Sequence, residues 1–420
     1  MLMGDTGFSD SGVPFMAPLT FGPGSVDWQH RVDPNELREQ RMARARTVLR
    51  DAGISVVLAA GPQFCRYLTG LQGPEFAPDM WYVLFPVESE PIVFAHAGYV
   101  RNMPAETPWI REWRVARSWL RGIPGVEASK FEAAAFAHDI QVELQRLQLL
   151  GEPLAVVGFD SYAHAALHEV IGDIVPGEPA MQKAMAIKTL EELSCLRMAA
   201  SITDRMWAAM SKGLRVGMTD AELASIGRAA ASSGGADSIA AGFRIGPLAQ
   251  DRGIKGTNQF IMPGDILIGN VCGTSYFGYK SCSYRTFSAG RSPTNQERGW
   301  MKRLEDRILG VVSDLKPGGL TSVAARHFPS ALDSGYQDEV ELLTIEIGHG
   351  IGLHQYEQPV VNRQWSIDYP QEIHEGMVVA VEGRDGIPGK STVRIEAMAV
   401  VTKDGPMLID RYPFDIIEAG

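Results

Sequence analysis

Four side chains in this sequence are of the types that proton transfer, nucleophilic attack or metal binding require. His349 stands between glycines in Thr344-Ile-Glu-Ile-Gly-His-Gly-Ile-Gly-Leu353, Glu382 ends Gly376-Met-Val-Val-Ala-Val-Glu382, Glu396 ends Val393-Arg-Ile-Glu396, and Cys282 lies in Ser281-Cys-Ser-Tyr-Arg-Thr286. An imidazole near carboxylates can hold a proton, because adjacent negative charge raises its pKa. A carboxylate can activate water, and a thiol beside an imidazole or guanidinium can act as a nucleophile. Imidazole, carboxylate and thiolate together also suit Zn2+. Both glutamates sit in apolar runs, where a buried carboxylate is costly without a partner. Cys282 has the simpler alternative of being a small packing residue. Asn270, Tyr284, Tyr356 and Arg394 can supply hydrogen-bond donors to a substrate. Arg394 can equally neutralise the glutamates, and the two tyrosines can equally be core aromatics. Cys272, His354 and His374 are assigned to structure or surface, with Asp251 and Lys255 as remote substitutes for a further base.

The elements that must position these residues are short and apolar. Leu342 to Ile347 reads as a strand with His349 at its end, where the flanking glycines allow a bend and a close approach to a ligand. The second half of the chain contains two copies of one unit. Leu214-Arg-Val-Gly-Met-Thr-Asp-Ala-Glu-Leu223 parallels Leu315-Lys-Pro-Gly-Gly-Leu-Thr-Ser-Val-Ala324, and Pro263-Gly-Asp-Ile-Leu-Ile-Gly-Asn270 parallels Glu375-Gly-Met-Val-Val-Ala-Val-Glu382. The second copy is longer and carries the His349 segment. Two helix–helix–strand–strand units can pack as a pseudo-twofold pair with strands lining a cavity. Asn270 then corresponds to Glu382, and the Cys282 strand to the Glu396 strand, which points to one central polar pocket.

Upstream, residues 1–34 read as a Gly/Pro/Ser-rich arm whose Phe8, Phe15, Phe21 and Trp28 can pack on a partner. Residues 35–184 alternate strands and helices, which indicates an α/β domain: a helix over 34–52, strands at 54–60, 81–86, 91–95 and 154–159, and a helix near 130–149. Arg66 to Asp79 reads as a Gly/Pro-containing loop with aromatic anchors, either serving a site on another subunit or a plain surface loop. The domain change falls between Gln182 and Lys188, and residues 188–420 form the second domain. There Thr189 with Glu192, and Thr219 with Glu222, are capping-box spacings that open helices. A net charge of -11 argues against nucleic-acid binding. No apolar run has the length of a membrane span, and no signal segment is evident. Cys65, Cys195, Cys272 and Cys282 show no CxxC spacing, which suits reduced thiols in a cytoplasm.

From about residue 185 to 405 these ordered motifs resemble the pita-bread superfamily of methionine aminopeptidase, aminopeptidase P, prolidase and creatinase. The first half is similar to the smaller domain of prolidase and creatinase. The resemblance implies an α+β fold: a pita-bread domain with a pseudo-twofold repeat and a smaller α/β N-terminal domain. Metal-dependent members carry Asp, Asp, His, Glu and Glu in order, and the last three fall on His349, Glu382 and Glu396. The two aspartate positions fall on Asn270 and Cys282, which removes the carboxylates that bridge a dinuclear site. Asn270 resembles the metal-free creatinase strand. The creatinase histidine has no counterpart, however, since none occurs between His168 and His327, and Tyr284 stands at a creatinase glutamate. Tyr356 replaces the second histidine of the peptidases.

The expectation drawn from this is a cytoplasmic, metal-independent hydrolase of a C–N bond in a small non-peptide amidine or amide. Catalysis would fall to His349, Glu382, Glu396 and Cys282, and substrate binding to Asn270, Tyr284, Tyr356 and Arg394. Two alternatives stand beside it. One is a single-metal Xaa-Pro exopeptidase or lyase, with one ion such as zinc on Cys282, His349, Glu382 and Glu396. The other is a catalytically silent binding protein. By resemblance the protein is a homodimer with sites near the subunit interface.

Overall fold

A computed structural model describes residues 32–73, 80–246, 258–342, 347–387 and 389–420. Residues 1–31 of the arm, Asp79, Asp251 and Lys255 lie outside these residues. The described chain forms two compact units, Asp33–Met185 and Ala186–Gly420.

In the first unit, helix α1 (Pro34–Asp51) starts at Asp33, whose carboxylate accepts from Asn35 N at 2.8 Å and Glu36 N at 3.2 Å. Strands β1 (Val56–Ala60), β2 (Trp81–Pro86), β3 (Ile92–Ala95), β4 (Glu112–Val115), β5 (Leu154–Val157) and β6 (Ile174–Pro176) form one sheet in the order β4-β3-β2-β1-β5-β6. The strands β1, β2, β3 and β5 are buried throughout, as apolar runs without alternation require when both faces are covered. Helices α2 (Pro62–Thr69), α3 (Ala97–Glu106), α4 (Val126–Arg146), α5 (Ser161–Val170) and α6 (Glu178–Ala186) connect them. Arg66 to Thr69, expected in a loop, instead complete α2; Gly70 (φ 76°) then ends the helix in the left-handed region that favours glycine.

The second unit opens with α7 (Leu190–Gly213) and α8 (Asp220–Ser233), and both expected capping boxes form. Strands β7 (Gly242–Ile245), β8 (Ile266–Asn270), β9 (Ser275–Tyr276), β10 (Tyr279–Lys280) and β11 (Tyr284–Ala289) complete the first copy. The second begins with α9 (Asn295–Asp314), capped by Thr294 and Glu297, but its following helix shrinks to Thr321–Ala324. Then come β12 (Gly348–Gly350), β13 (Glu357–Val361), β14 (Val378–Ile387), β15 (Ser391–Thr402), β16 (Gly405–Leu408) and β17 (Ile417–Ala419).

Besides the β9–β10 pair, two larger sheets result, ordered β17-β11-β8-β7 and β13-β12-β14-β15-β16. They are stitched where β11 meets β15. Thr286 Oγ1 donates to Arg394 O and accepts from Arg394 N, each at 2.9 Å, and Arg285 Nη1 donates to Glu396 O at 2.6 Å. These bonds set the end of the first copy beside the two strands that carry the glutamates.

One local expectation changes. Leu342 closes a short helix, Glu339–Leu342, and residues 343–346 lie outside the description. His349 is the centre of a strand rather than its terminus, hydrogen-bonded between β13 and β14. Its following glycine serves close approach, beside a register shift in the β12–β13 ladder: a Cβ on Gly350 would sit 2.2 Å from Gln358 O.

Candidate active site

Strand register builds the site. Glu382 on β14 and Glu396 on β15 are direct cross-strand partners, so both carboxylates leave the same face. His349 pairs with Ala380, two residues before Glu382, and therefore shares that face. Arg394, two residues before Glu396, does too. All four are buried.

His349 Nδ1 lies 3.0 Å from Gly350 O. A carbonyl only accepts, so Nδ1 carries the proton and the lone pair of a neutral ring sits on Nε2. That lone pair faces Glu396 Oε1 at 3.8 Å, a buried oxygen with no hydrogen-bond partner within bonding distance among the described residues. Burial pushes the Glu396 carboxyl well above the usual range, and Cys272 and Glu382 push it further. Arg394 donates to Glu382 Oε2 in a short ion pair, and its guanidinium stacks 3.8 Å from the Tyr284 ring centre. Burial opposes the Arg394 charge, but Glu382 more than offsets this and holds the guanidinium above the ordinary arginine range.

Of the residues expected to bind substrate, Asn270 Nδ2 donates to Tyr284 Oη, and Asn270 Oδ1 accepts from Cys272 N at 3.2 Å. The Asn270 side chain thus holds Tyr284. Tyr284 is buried rather than packed as an ordinary core aromatic: its hydroxyl is engaged and its ring carries a cation. Tyr356 is 50% exposed and lies against His349, ring centres 4.4 Å apart. It forms part of the rim of the site. His354 lies beside Glu357 and His374 beside Glu372, as structural roles require.

The residue missed from sequence is Cys272. Assigned above to structure or surface, it instead donates its thiol to Glu396 Oε2 at 3.4 Å and faces Cys282. The available signal was its two-residue spacing from Asn270, which puts both on one face of an extended segment. Cys282 itself is buried just before β11, and burial together with the Cys272 thiol pushes its pKa well above the usual thiol range.

Two overlapping triads follow: Cys272, Cys282 and Glu396, and His349, Glu382 and Glu396, the donor atoms of each lying within 4.8 Å of one another. The Nε2 lone pair, two carboxylates and two thiols are a set that a divalent transition metal ion fits, with Glu396 common to both groups. The expectation of a metal-free pocket has no support in this arrangement. His349 spends its Nδ1 proton on a backbone carbonyl and turns its Nε2 lone pair toward Glu396, the orientation a metal ligand takes.

The model of metallopeptidase family M24 matches residues 194–403. The chain is similar to the probable dipeptidase PepE of Mycobacterium tuberculosis, 25% identical over 393 residues, which covers 91% of this chain and 96% of that one. Among solved structures, the Xaa-Pro dipeptidase of Bacillus anthracis superposes with a TM-score of 0.71 at 22% identity, covering 91% of this chain and 99% of that one. The prolidase of Thermococcus sibiricus does so with a TM-score of 0.73 at 19% identity, over 91% and 99% of the two chains. The α+β fold with its smaller α/β unit is therefore the one these enzymes share, and the chain belongs to metallopeptidase family M24.

Proposed function

We propose that the protein is a metal-dependent hydrolase of a peptide-type C–N bond in a small, dipeptide-sized substrate. One transition metal ion would be held by His349, Glu382 and Glu396, with Cys282 as the nearby thiol ligand. The observation that carries this reading is the convergence of His349, Glu382 and Glu396, whose ligand atoms lie within 4.8 Å of one another with the Nε2 lone pair turned toward Glu396. Similarity to a probable dipeptidase along nearly the whole chain supports a peptide rather than an amidine.

A divalent ion there would polarise the scissile carbonyl and make water a nucleophile near neutral pH. The chain's own residues supply the rest. Asn270 donates to Tyr284 Oη, so the Tyr284 proton remains for a developing oxyanion. Arg394 fixes the rotamer of Glu382 through their ion pair. Tyr356, at the exposed edge, covers His349 and meets the substrate first. A homodimer belongs to this reading and is checked by sedimentation.

The test is metal analysis of purified protein together with hydrolysis of Xaa-Pro and other dipeptides. About one equivalent of zinc, iron or manganese, with turnover abolished by chelator and restored by the metal, is the expected result. Turnover by metal-stripped protein would return the metal-free reading. Cleavage without uptake of water would make the protein a lyase.

A further inference from the structure

Cys272 and Cys282 occupy facing positions on the continuation of the β8–β11 ladder. Asn270 pairs with Tyr284, and further along Val271 N donates to Ser283 O at 2.9 Å and Gly273 N to Ser281 O at 2.8 Å. Between those bonds, Cys272 and Cys282 form the pair whose own backbone groups do not bond each other. Such positions bring Cα atoms to about 4.5 Å and side chains onto one face. That spacing lies at the short end of the roughly 4.4–6.8 Å that a disulfide spans. The sulfurs already lie within 4.8 Å. Cys272 is half-buried and Cys282 buried, whereas the other two thiols, Cys65 and Cys195, are fully buried in separate parts of the chain.

We propose that Cys272 and Cys282 are a reversible redox pair, linked by peroxide into a cross-strand disulfide that shuts the site. The Cys272 sulfur attacks one peroxide oxygen, the O–O bond breaks, and the departing hydroxide takes the thiol proton as water. The Cys282 sulfur then displaces the oxygen from the Cys272 sulfenic acid. The S–S bond forms, the S–O bond breaks, and a second water leaves with the Cys282 proton. Two thiols lose two electrons and two protons, and one peroxide becomes two waters. The link removes the Cys272 hydrogen bond from Glu396 Oε2 and takes the Cys282 sulfur away from any ion. Bonds at the short end of the range are the more easily reduced, which suits a switch rather than a staple.

The pair can be read chemically whether or not the metal reading holds. Trypsin cuts after Lys255, Lys280 and Arg285, which places Cys272 in peptide 256–280 and Cys282 in peptide 281–285. Full-length protein as purified is treated with hydrogen peroxide, alkylated and digested. The expected result is one joined 256–280/281–285 species, free thiols falling from four to two, and full reversal by dithiothreitol. Cys282→Ser should instead leave a dimedone-reactive Cys272. A sulfinic acid on Cys272 with no joined peptide, or a joined peptide only after denaturation, overturns the proposal. If the joined peptide forms and the metal content of the reduced protein is nil, the pair stands and the metal reading falls.

Discussion

His349 Nε2 and Glu396 Oε1 face each other across 3.8 Å; with the ring proton on Nδ1, Nε2 cannot donate, and an ionised Glu396 would set two acceptors together. The arrangement is stable only if a proton or a cation lies between them. His349→Ala should therefore cut bound metal below half an equivalent and lower kcat/KM on the order of 100-fold or more, the scale of losing one preorganised electrostatic group. Thermal unfolding should shift little by comparison. Elemental analysis, dipeptide kinetics and circular dichroism check the three parts.

Lys188 Nζ donates to Glu357 Oε2 at 2.5 Å, and both side chains are 1% exposed. Glu357 also accepts from His354 N at 3.0 Å, and it leaves room at Gly352 for nothing larger than glycine: a Cβ there would lie 2.6 Å from its oxygens. Lys188→Met strands a buried carboxylate and should cost about 3–5 kcal/mol in urea unfolding. Lys188→Met with Glu357→Gln should recover most of that loss, because no uncompensated charge remains.

Asp204 accepts from Arg411 N at 2.8 Å and Tyr412 N at 3.0 Å. Burial, then the Asp410 charge, raise its pKa from 3.8 to about 7. A carboxyl whose folded pKa lies above its unfolded one binds the extra proton in the folded state. Its stabilisation is complete below pH 3.8 and is lost as pH rises through about 7. Asp204→Asn should flatten the fall in stability across that window, read from chemical unfolding at successive pH values.

Tyr356 covers His349 but is 50% exposed, so its contribution to stability is small. Tyr356→Ala should stay within about 0.5 kcal/mol of the parent in unfolding and raise KM several-fold. Tyr356→Phe, which keeps the ring against His349, should restore most of the affinity. Equal kinetics for all three proteins would remove the residue from the substrate path.

Much of the fold was legible in the sequence. Thr189 with Glu192 and Thr219 with Glu222 announced α7 and α8 through local side-chain to backbone bonds, which need no tertiary partner. The strand at Trp81 to Pro86 was visible as an apolar run, and His349, Glu382 and Glu396 stood out as polar groups in apolar or glycine-rich settings. Cys272 did not. Its neighbour in space is set by the ladder between β8 and β11, and that register depends on which residues of two separate segments bond. The same holds for Lys188 and Glu357, far apart in sequence and joined only by the packed chain. Residue type and local spacing thus determined most of the elements and the identities of His349, Glu382 and Glu396 as donors. Tertiary structure alone decided which way each donor turns, because a proton on Nδ1 or Nε2 and a thiol facing a thiol are properties of neighbours that the linear order does not contain.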